Sequence, residues 1–347
     1  MFEDRTKRTE LSSLGEFGLI DLISKGIKIK NPSTNVGIGD DCAVLEADGK
    51  KTLISTDLLI EGVHFDLTFT PLKHLGYKAA IVNLSDMAAM NAIPTQITVS
   101  LGLSNRFSVE AIQELFDGIK LACDKYKVDI VGGDTTSSKK GLIISITVLG
   151  FAEDKDIVYR SGAKVNDLIC TSGDLGGAYT GLLILQREKS AFIANDEMQP
   201  DLEGNEYILE RQLKPEARID IVRLLRDKGI KPTSMIDISD GLASELKHIC
   251  KQSKVGATIY EDKIPIDQQT WDTARKFNMD PTTCALNGGE DYELLFTIHQ
   301  DDFEKIKNLP DISVIGHITQ ESEGVNLITK NGVSSIIKAQ GWDGLKE

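Results

Sequence analysis

Carboxylates recur along this chain inside apolar or glycine-rich stretches, where a solvated surface charge would not be expected. They stand in Gly37-Ile-Gly-Asp40-Asp41, Ser55-Thr56-Asp57, Asn83-Leu-Ser-Asp86, Gly132-Gly133-Asp134, Asp237-Ile-Ser239-Asp240-Gly241 and Gly288-Gly289-Glu290-Asp291. An ionised carboxylate next to buried apolar residues is costly unless something positive holds it. Lys, Arg and His are too sparse near these segments to pair with all of them, so bound divalent cations are the economical counter-charge. The fold is therefore expected to bring scattered aspartates from both halves together around hard cations.

At 347 residues the chain is long for one core, and two domains are expected. No apolar run approaches the roughly 18 residues that span a bilayer. The opening Met1-Phe-Glu-Asp-Arg lacks the charged, apolar, small-residue order of a secretory signal, so a cytoplasmic location is expected. Five scattered cysteines without a Cys-x-x-Cys fit reduced thiols. Five histidines without a cluster exclude a zinc site, and oxygen-rich ligands favour Mg²⁺. A net charge of −14 with no basic stripe argues against nucleic acid and anionic membranes. Such a chain still binds polyphosphate if metal ions invert the local field.

Periodicity gives an alternating α/β order. Strands are expected at Thr52 to Ile60, Gln96 to Leu103, Asp129 to Val131, Leu142 to Phe151, Asp167 to Thr171, Ser234 to Ile238 and Tyr292 to Ile298. Helices are expected over 72–91, from Ser108 as N-cap to Lys127, over 205–213 and 216–228, and from Ser239-Asp240-Gly241 to Ser253. Residues 188–206 read as a polar, exposed excursion. The pattern shifts near residue 152, which divides the chain into domains of 1–152 and 153–347.

Among the acidic residues, Asp86 is the sharpest, because a mid-helix position surrounded by small apolar residues excludes both capping and simple exposure. Ser55, Thr56 and Asp57 emerge from an apolar strand, a usual place for function. Gly132-Gly133-Asp134 and Asp237-Ile-Ser239-Asp240-Gly241 each set carboxylates just past a strand, with glycines that allow close approach of a bulky anion. Helix capping accounts for Asp240 alone but not for Asp237. Arg160 suits a phosphate clamp, His64 a substrate contact, and Trp342 either a tail anchor or a stacking surface. P-loop, protein-kinase, nucleophile-elbow and dinucleotide-binding signatures are all absent.

In this order the motifs resemble the thiamine-monophosphate kinase family, of the superfamily that includes aminoimidazole ribonucleotide synthetase and selenophosphate synthetase. The resemblance rests on the acidic segments above, on His64 seven positions after Asp57, on Gly288-Gly-Glu-Asp-Tyr-Glu-Leu-Leu295 and on Gly341-Trp-Asp343. It implies two α/β domains, the N-terminal ones of two subunits pairing through their sheets into a homodimer. It implies ATP-dependent phosphorylation of thiamine monophosphate to thiamine diphosphate with several Mg²⁺ ions. Carried over, Asp40, Ser55, Thr56, Asp57, Asp86, Asp134, Asp237 and Asp240 are metal ligands. Gly133, Asp134, Arg160 and Ser239 contact ATP, while His64, Glu290 and Trp342 contact the thiamine substrate. Catalysis is metal-assisted through Asp57, Asp86 and Asp134, with in-line transfer and no general base, since the acceptor phosphate oxygen is already ionised. Other ATP-using synthetases of the superfamily and metal-dependent phosphohydrolases are the competing readings. The chain departs from the family in Met90-Asn91, where Met-Gly is usual, and in Pro215-Glu-Ala217-Arg218, where Pro-x-Pro-Arg is common.

Overall fold

The protein was analysed as a computed structural model, which describes residues 22–36, 44–45, 51–195 and 199–338. Two compact units emerge, one from residues up to Met87 with Ala92–Lys155, the other from Ala88–Asn91 with Asp156 onward.

In the first unit, β1 (Thr34–Val36) pairs antiparallel with β2 (Val44–Leu45). The larger sheet is built from β3 (Lys51–Ile60), β4 (Ile93–Leu103), β5 (Asp129–Ser137) and β6 (Ile143–Ala152) in the order β3-β6-β4-β5. Only β4 and β5 run parallel. Strand alternation sorts β6 into buried Ile144, Ile146 and Val148 on one face and Ser145, Thr147 and Leu149 on the other. Helices α1 (Leu72–Ala89) and α2 (Val109–Tyr126) contribute buried Leu75, Ile81, Ile112, Leu115 and Ile119 to the core. Ser108 caps α2 as expected, its hydroxyl accepting from the Ala111 N–H at 3.2 Å. The two helices cross in close contact. A Cβ on Gly76 would stand 1.9 Å from the Leu115 carbonyl oxygen, and one on Gly118 1.9 Å from that of Lys73.

The second unit carries α3 (Gly177–Ala194), α4 (Glu206–Leu213), α5 (Ile219–Asp227), α6 (Leu242–Ser253), α7 (Gln268–Lys276), α8 (Pro281–Asn287) and the short α9 (Phe303–Ile306). Its strands are β7 (Leu168–Ser172), β8 (Ser234–Asp237), β9 (Gly256–Tyr260), β10 (Leu294–Ile298), β11 (Ile312–Thr319), β12 (Val325–Ile328) and β13 (Ser334–Ile336). They form one sheet in the order β13-β12-β9-β11-β7-β10-β8, parallel only between β9 and β12. Its core joins Ile169, Leu175, Ile236, Leu246, Ile259, Leu295 and Ile318. The mixed α/β class is as expected.

Three expectations change. Gly132-Gly133-Asp134 lies within β5, not past it. Gly133 is a glycine because of β4: a Cβ there would stand 1.8 Å from the Val99 carbonyl oxygen. Residues 188–194 are helical, since α3 runs on to Ala194 with α4 packed along it; a Cβ on Gly181 would sit 2.1 Å from the Ile208 carbonyl oxygen. The N-cap position of α6 belongs to Gly241, not to Asp240.

The crossing of α1 and α2 leaves no room for a methyl group. Gly118→Ala is expected to cost about 1–3 kcal/mol, read as an earlier urea midpoint at unchanged slope.

Candidate active site

The acidic residues of the first unit meet where α1 lies beside β3. Because β3 is an edge strand, one side of its backbone needs a partner outside the sheet. Asn83 of α1 supplies it: its Oδ1 accepts from the Asp57 N–H at 3.1 Å, while its Nδ2 donates to the Ala79 carbonyl at 3.1 Å. Asp86 falls one turn further on the same helix face. Ser55 and Asp57, two residues apart, share one strand face. The Ser55 hydroxyl donates to Asp86 Oδ2 at 2.5 Å. Burial, and then the neighbouring Asp86 charge, push the Asp57 carboxyl up to about 6. Both influences act in the same direction, so this pair is held together against its own repulsion. An added cation would relieve both.

The other candidates of this unit lie elsewhere. The Thr56 hydroxyl donates to the Ile146 carbonyl and accepts from Thr147 Oγ1 at 3.0 Å, on the strand face opposite Asp57. Asp134 is exposed and pairs in register with Ser100. Its strand, β5, forms the sheet edge opposite β3, three interstrand steps or about 14 Å away on a flat sheet. One ion therefore does not bridge Asp57 and Asp134. His64 closes the turn after β3, where its Nδ1 accepts from the Ile60 N–H at 3.0 Å, so that Nε2 carries the proton of the neutral ring. Asp40 and Trp342 lie outside the described residues. Among the described residues, no three His, Cys, Asp or Glu side chains gather closely enough to hold a metal ion by themselves. Hydroxyls, main-chain oxygens or ligand phosphates must complete any such site.

In the second unit two distant motifs fold against each other. The Ser239 carbonyl accepts from the Glu290 N–H at 2.7 Å, the Ile238 carbonyl from the Tyr292 N–H at 2.9 Å, and the Glu293 carbonyl from the Ile238 N–H at 2.7 Å. This clasp holds Glu290 and Tyr292 at φ of 58° and 51°, the left-handed region that side chains seldom enter. Asp237 ends β8 and is buried, and the carboxylate of Glu290 accepts from Gln212 Nε2 at 2.9 Å. Arg160 is exposed beside the start of β8, where the neighbouring Tyr159 carbonyl takes the Met235 N–H, whereas Ser239 and Asp240 follow that strand's end.

Sequence reasoning missed three residues of this unit. Glu293, Arg211 and Arg218 form a buried ion triad, with Arg211 Nη1 2.8 Å from Glu293 Oε1 and Arg218 Nη1 2.5 Å from Oε2. Asp291 is structural in the same way. Its carboxylate accepts from the Gly176 and Ala178 N–H groups at 2.7 and 3.3 Å and so caps α3 from 113–115 residues away. Burial raises its carboxyl to about 7 against the pull of Arg211 and these two bonds. Glu245, in the first turn of α6, was also missed. Burial lifts its carboxyl to about 8, although N–H groups including that of Asp240 act against the rise; Asp240 and Asp237 add to it.

Asn91 explains the departure from Met-Gly. It adopts φ 54°, a conformation that Asn tolerates better than most side chains. Its side chain also donates to the Asp156 carbonyl at 2.6 Å and accepts from Arg226 Nε at 3.0 Å.

The family "AIR synthase related protein, N-terminal domain" matches residues 39–152, and "AIR synthase related protein, C-terminal domain" matches residues 180–327. Thiamine-monophosphate kinase of Aquifex aeolicus is 36% identical over 332 residues, covering 96% of this chain and 98% of that protein. Its counterpart in Bacillus subtilis is 33% identical over 340 residues, covering 96% and 100%. A solved structure described as AaThiL complexed with AMPPCP and TMP superposes with a TM-score of 0.73 at 34% identity, covering 97% of this chain and 99% of that one.

The raised Asp57 carboxyl sets a pH signature. The folded state binds the Asp57 proton more tightly than the unfolded chain, so its contribution to stability is lost as pH rises from the unfolded value of 3.8 through about 6. Asp57→Asn is expected to melt later than the parent in metal-free buffer at pH 7.5, by about 1–3 kcal/mol. The gain should shrink steadily between pH 6 and pH 4. Added Mg²⁺ should stabilise the parent more than the variant.

Proposed function

The chain belongs to the thiamine-monophosphate kinase family, and on that membership we propose that it transfers the terminal phosphoryl group of ATP to thiamine monophosphate, yielding thiamine diphosphate. The observation that carries this reading is near-complete coverage by kinases of that name at 33–36% identity, together with the Ser55–Asp57–Asp86 constellation. The constellation suits Mg²⁺, because two carboxylates that raise one another's cost of ionisation are a favourable place for a hard cation. When bound, Mg²⁺ screens the phosphates and stabilises charge on the transferring group.

The remaining roles belong to the chain's own groups. Ser55, Asp57 and Asp86 hold cation charge at the β3 edge, while Thr56, its hydroxyl engaged by Ile146 and Thr147, contributes through its main chain. Asp134, on the far edge of the sheet, holds a separate ion, with Gly133 beside the nucleotide. Asp237 and Asp240 carry cation charge in the second unit, and Ser239 and Arg160 contact ATP. Asp40 joins the metal ligands. His64, Glu290 and Trp342 recognise the thiamine moiety, Trp342 by stacking on a cationic ring. The acceptor is a phosphate oxygen already ionised near neutrality, so transfer is direct and in-line and needs no proton-abstracting side chain. His64 fits this reading, since its Nδ1 is engaged by the Ile60 N–H.

The enzyme works in the cytoplasm as a homodimer. No helix among the described residues is long and apolar enough to cross a membrane. Dimerisation uses the sheet face that the helices leave open. Ile54 and Leu58 stand 66% and 50% exposed there, and register places Leu149 beside Ile54. A patch of this kind marks an association surface, and a second copy of the same strands is the self-complementary partner.

Two tests follow. Purified protein with Mg²⁺, labelled ATP and a panel of phosphorylated cofactors should transfer label to thiamine monophosphate. Phosphate release at equal rate without any acceptor would instead indicate a hydrolase. Asp86→Asn should lower turnover at least 100-fold on the scale of lost electrostatic stabilisation, with metal-free melting no lower than the parent's, since the repulsion on Asp57 is relieved. Ile54→Lys combined with Leu58→Lys should halve the mass seen in sedimentation.

A further inference from the structure

Glu245 lies four residues beyond the Asp237-Ile-Ser239-Asp240-Gly241 segment, and nothing so far gives it a role. It is 2% exposed, in the first turn of α6. Its Oε1 accepts from the Asp240 N–H at 3.2 Å, which turns the carboxyl toward the Ser239-Asp240-Gly241 bend. Its Oε2 is fully buried and meets no hydrogen-bond partner among the described residues. A buried carboxyl oxygen left in this state is costly. Unlike the Glu293 carboxylate, which receives Arg211, Arg218 and Ser172, it has no arginine to answer it. Its charged neighbours are Asp240 and Asp237. The bend itself is tightly held. Gly241 adopts φ 111° against Leu286 and Asn287, and Ser239 is clasped by Glu290. The bend that the carboxyl faces is therefore fixed, and Oε1 is tied to it through the Asp240 N–H.

We propose that Glu245 is a positioning residue for the magnesium carried by Asp237 and Asp240. Oε1 fixes the Asp240 main chain, and Oε2 accepts a hydrogen bond from a water molecule on the cation. This rests on the reading that Asp237 and Asp240 are metal ligands.

The test is Glu245→Gln in the full chain. The Asp240 N–H requires an acceptor, so it selects the amide oxygen and leaves the amide NH₂ where Oε2 stood. That group donates and so opposes a metal-bound water, while the shape of the residue is kept. Mg²⁺ is titrated calorimetrically into protein saturated with a non-hydrolysable ATP analogue, with metal-free melting measured in parallel. The expected result is Mg²⁺ affinity at least about 10-fold weaker, with melting as high as the parent's. Parent-like affinity in Glu245→Gln, while Asp240→Asn loses it, overturns the role of Glu245 alone. Parent-like affinity in both variants overturns the ligand reading beneath it. Glu245→Ala is the second arm: weakening at least equal to that of Gln supports the proposal, and parent-like affinity overturns it.

Discussion

The structure turns on how each carboxylate withdrawn from water is compensated. Removing an ion from water costs several kcal/mol, which neighbouring charge and hydrogen bonds must offset. The second unit offsets Glu293 with two arginines and a serine hydroxyl, and Asp291 with the first N–H groups of α3. Those carboxylates are committed to structure: they pin α4, the start of α5 and α3 to the Gly288-to-Glu293 loop. Asp57 in the first unit has a second carboxylate as its close electrostatic neighbour. The fold keeps that pair together through Asn83 and Ser55, which position the two groups without neutralising them. Compensation supplied internally marks a structural carboxylate. On the proposed reading, the compensation for Asp57 comes from an incoming cation.

This distinction shows what could be read from the chain and what could not. Asp86 was legible because desolvation acts locally: a lone Asp within Ala79 to Met90 has no nearby counter-charge, whatever the fold. The N-cap at Ser108 was legible for the same reason, since a cap is decided within four residues. Asp291 and Glu290 sit side by side with equally good credentials, yet one caps a helix 113–115 residues earlier. Only the fold separates them. Glu293 was passed over because its partners are 75–82 residues away, and Glu245 because an acidic residue in the first turn of a helix looks like ordinary dipole complementation.

Element boundaries failed where tertiary partners overrode local signals. Two adjacent glycines read as lying just past a strand, but β4 continues alongside β5 and keeps the strand intact through Gly132 and Gly133. The glycine requirement was seen correctly while its cause was not: the Val99 carbonyl, not an anion, occupies the space a side chain would need. A polar run after residue 188 read as irregular, but α3 continues through it to Ala194, while the packing of α4 is seen at Gly181, nearer the start of that helix.

The same accounting bears on how so acidic a chain handles polyanions. Helix N-termini are the usual neutral means of binding phosphate, but at α3 Asp291 already takes the Gly176 and Ala178 N–H groups. Arg211 and Arg218, which could each clamp a phosphate, are engaged by Glu293 instead. With those cationic and dipolar groups spent on internal carboxylates, attraction for ATP and a phosphorylated acceptor would, on the proposed reading, fall to metal ions held by the remaining aspartates. Binding of both polyanions should then depend on the same cations, so that metal occupancy, not side-chain protonation, governs whether the two reactants can approach.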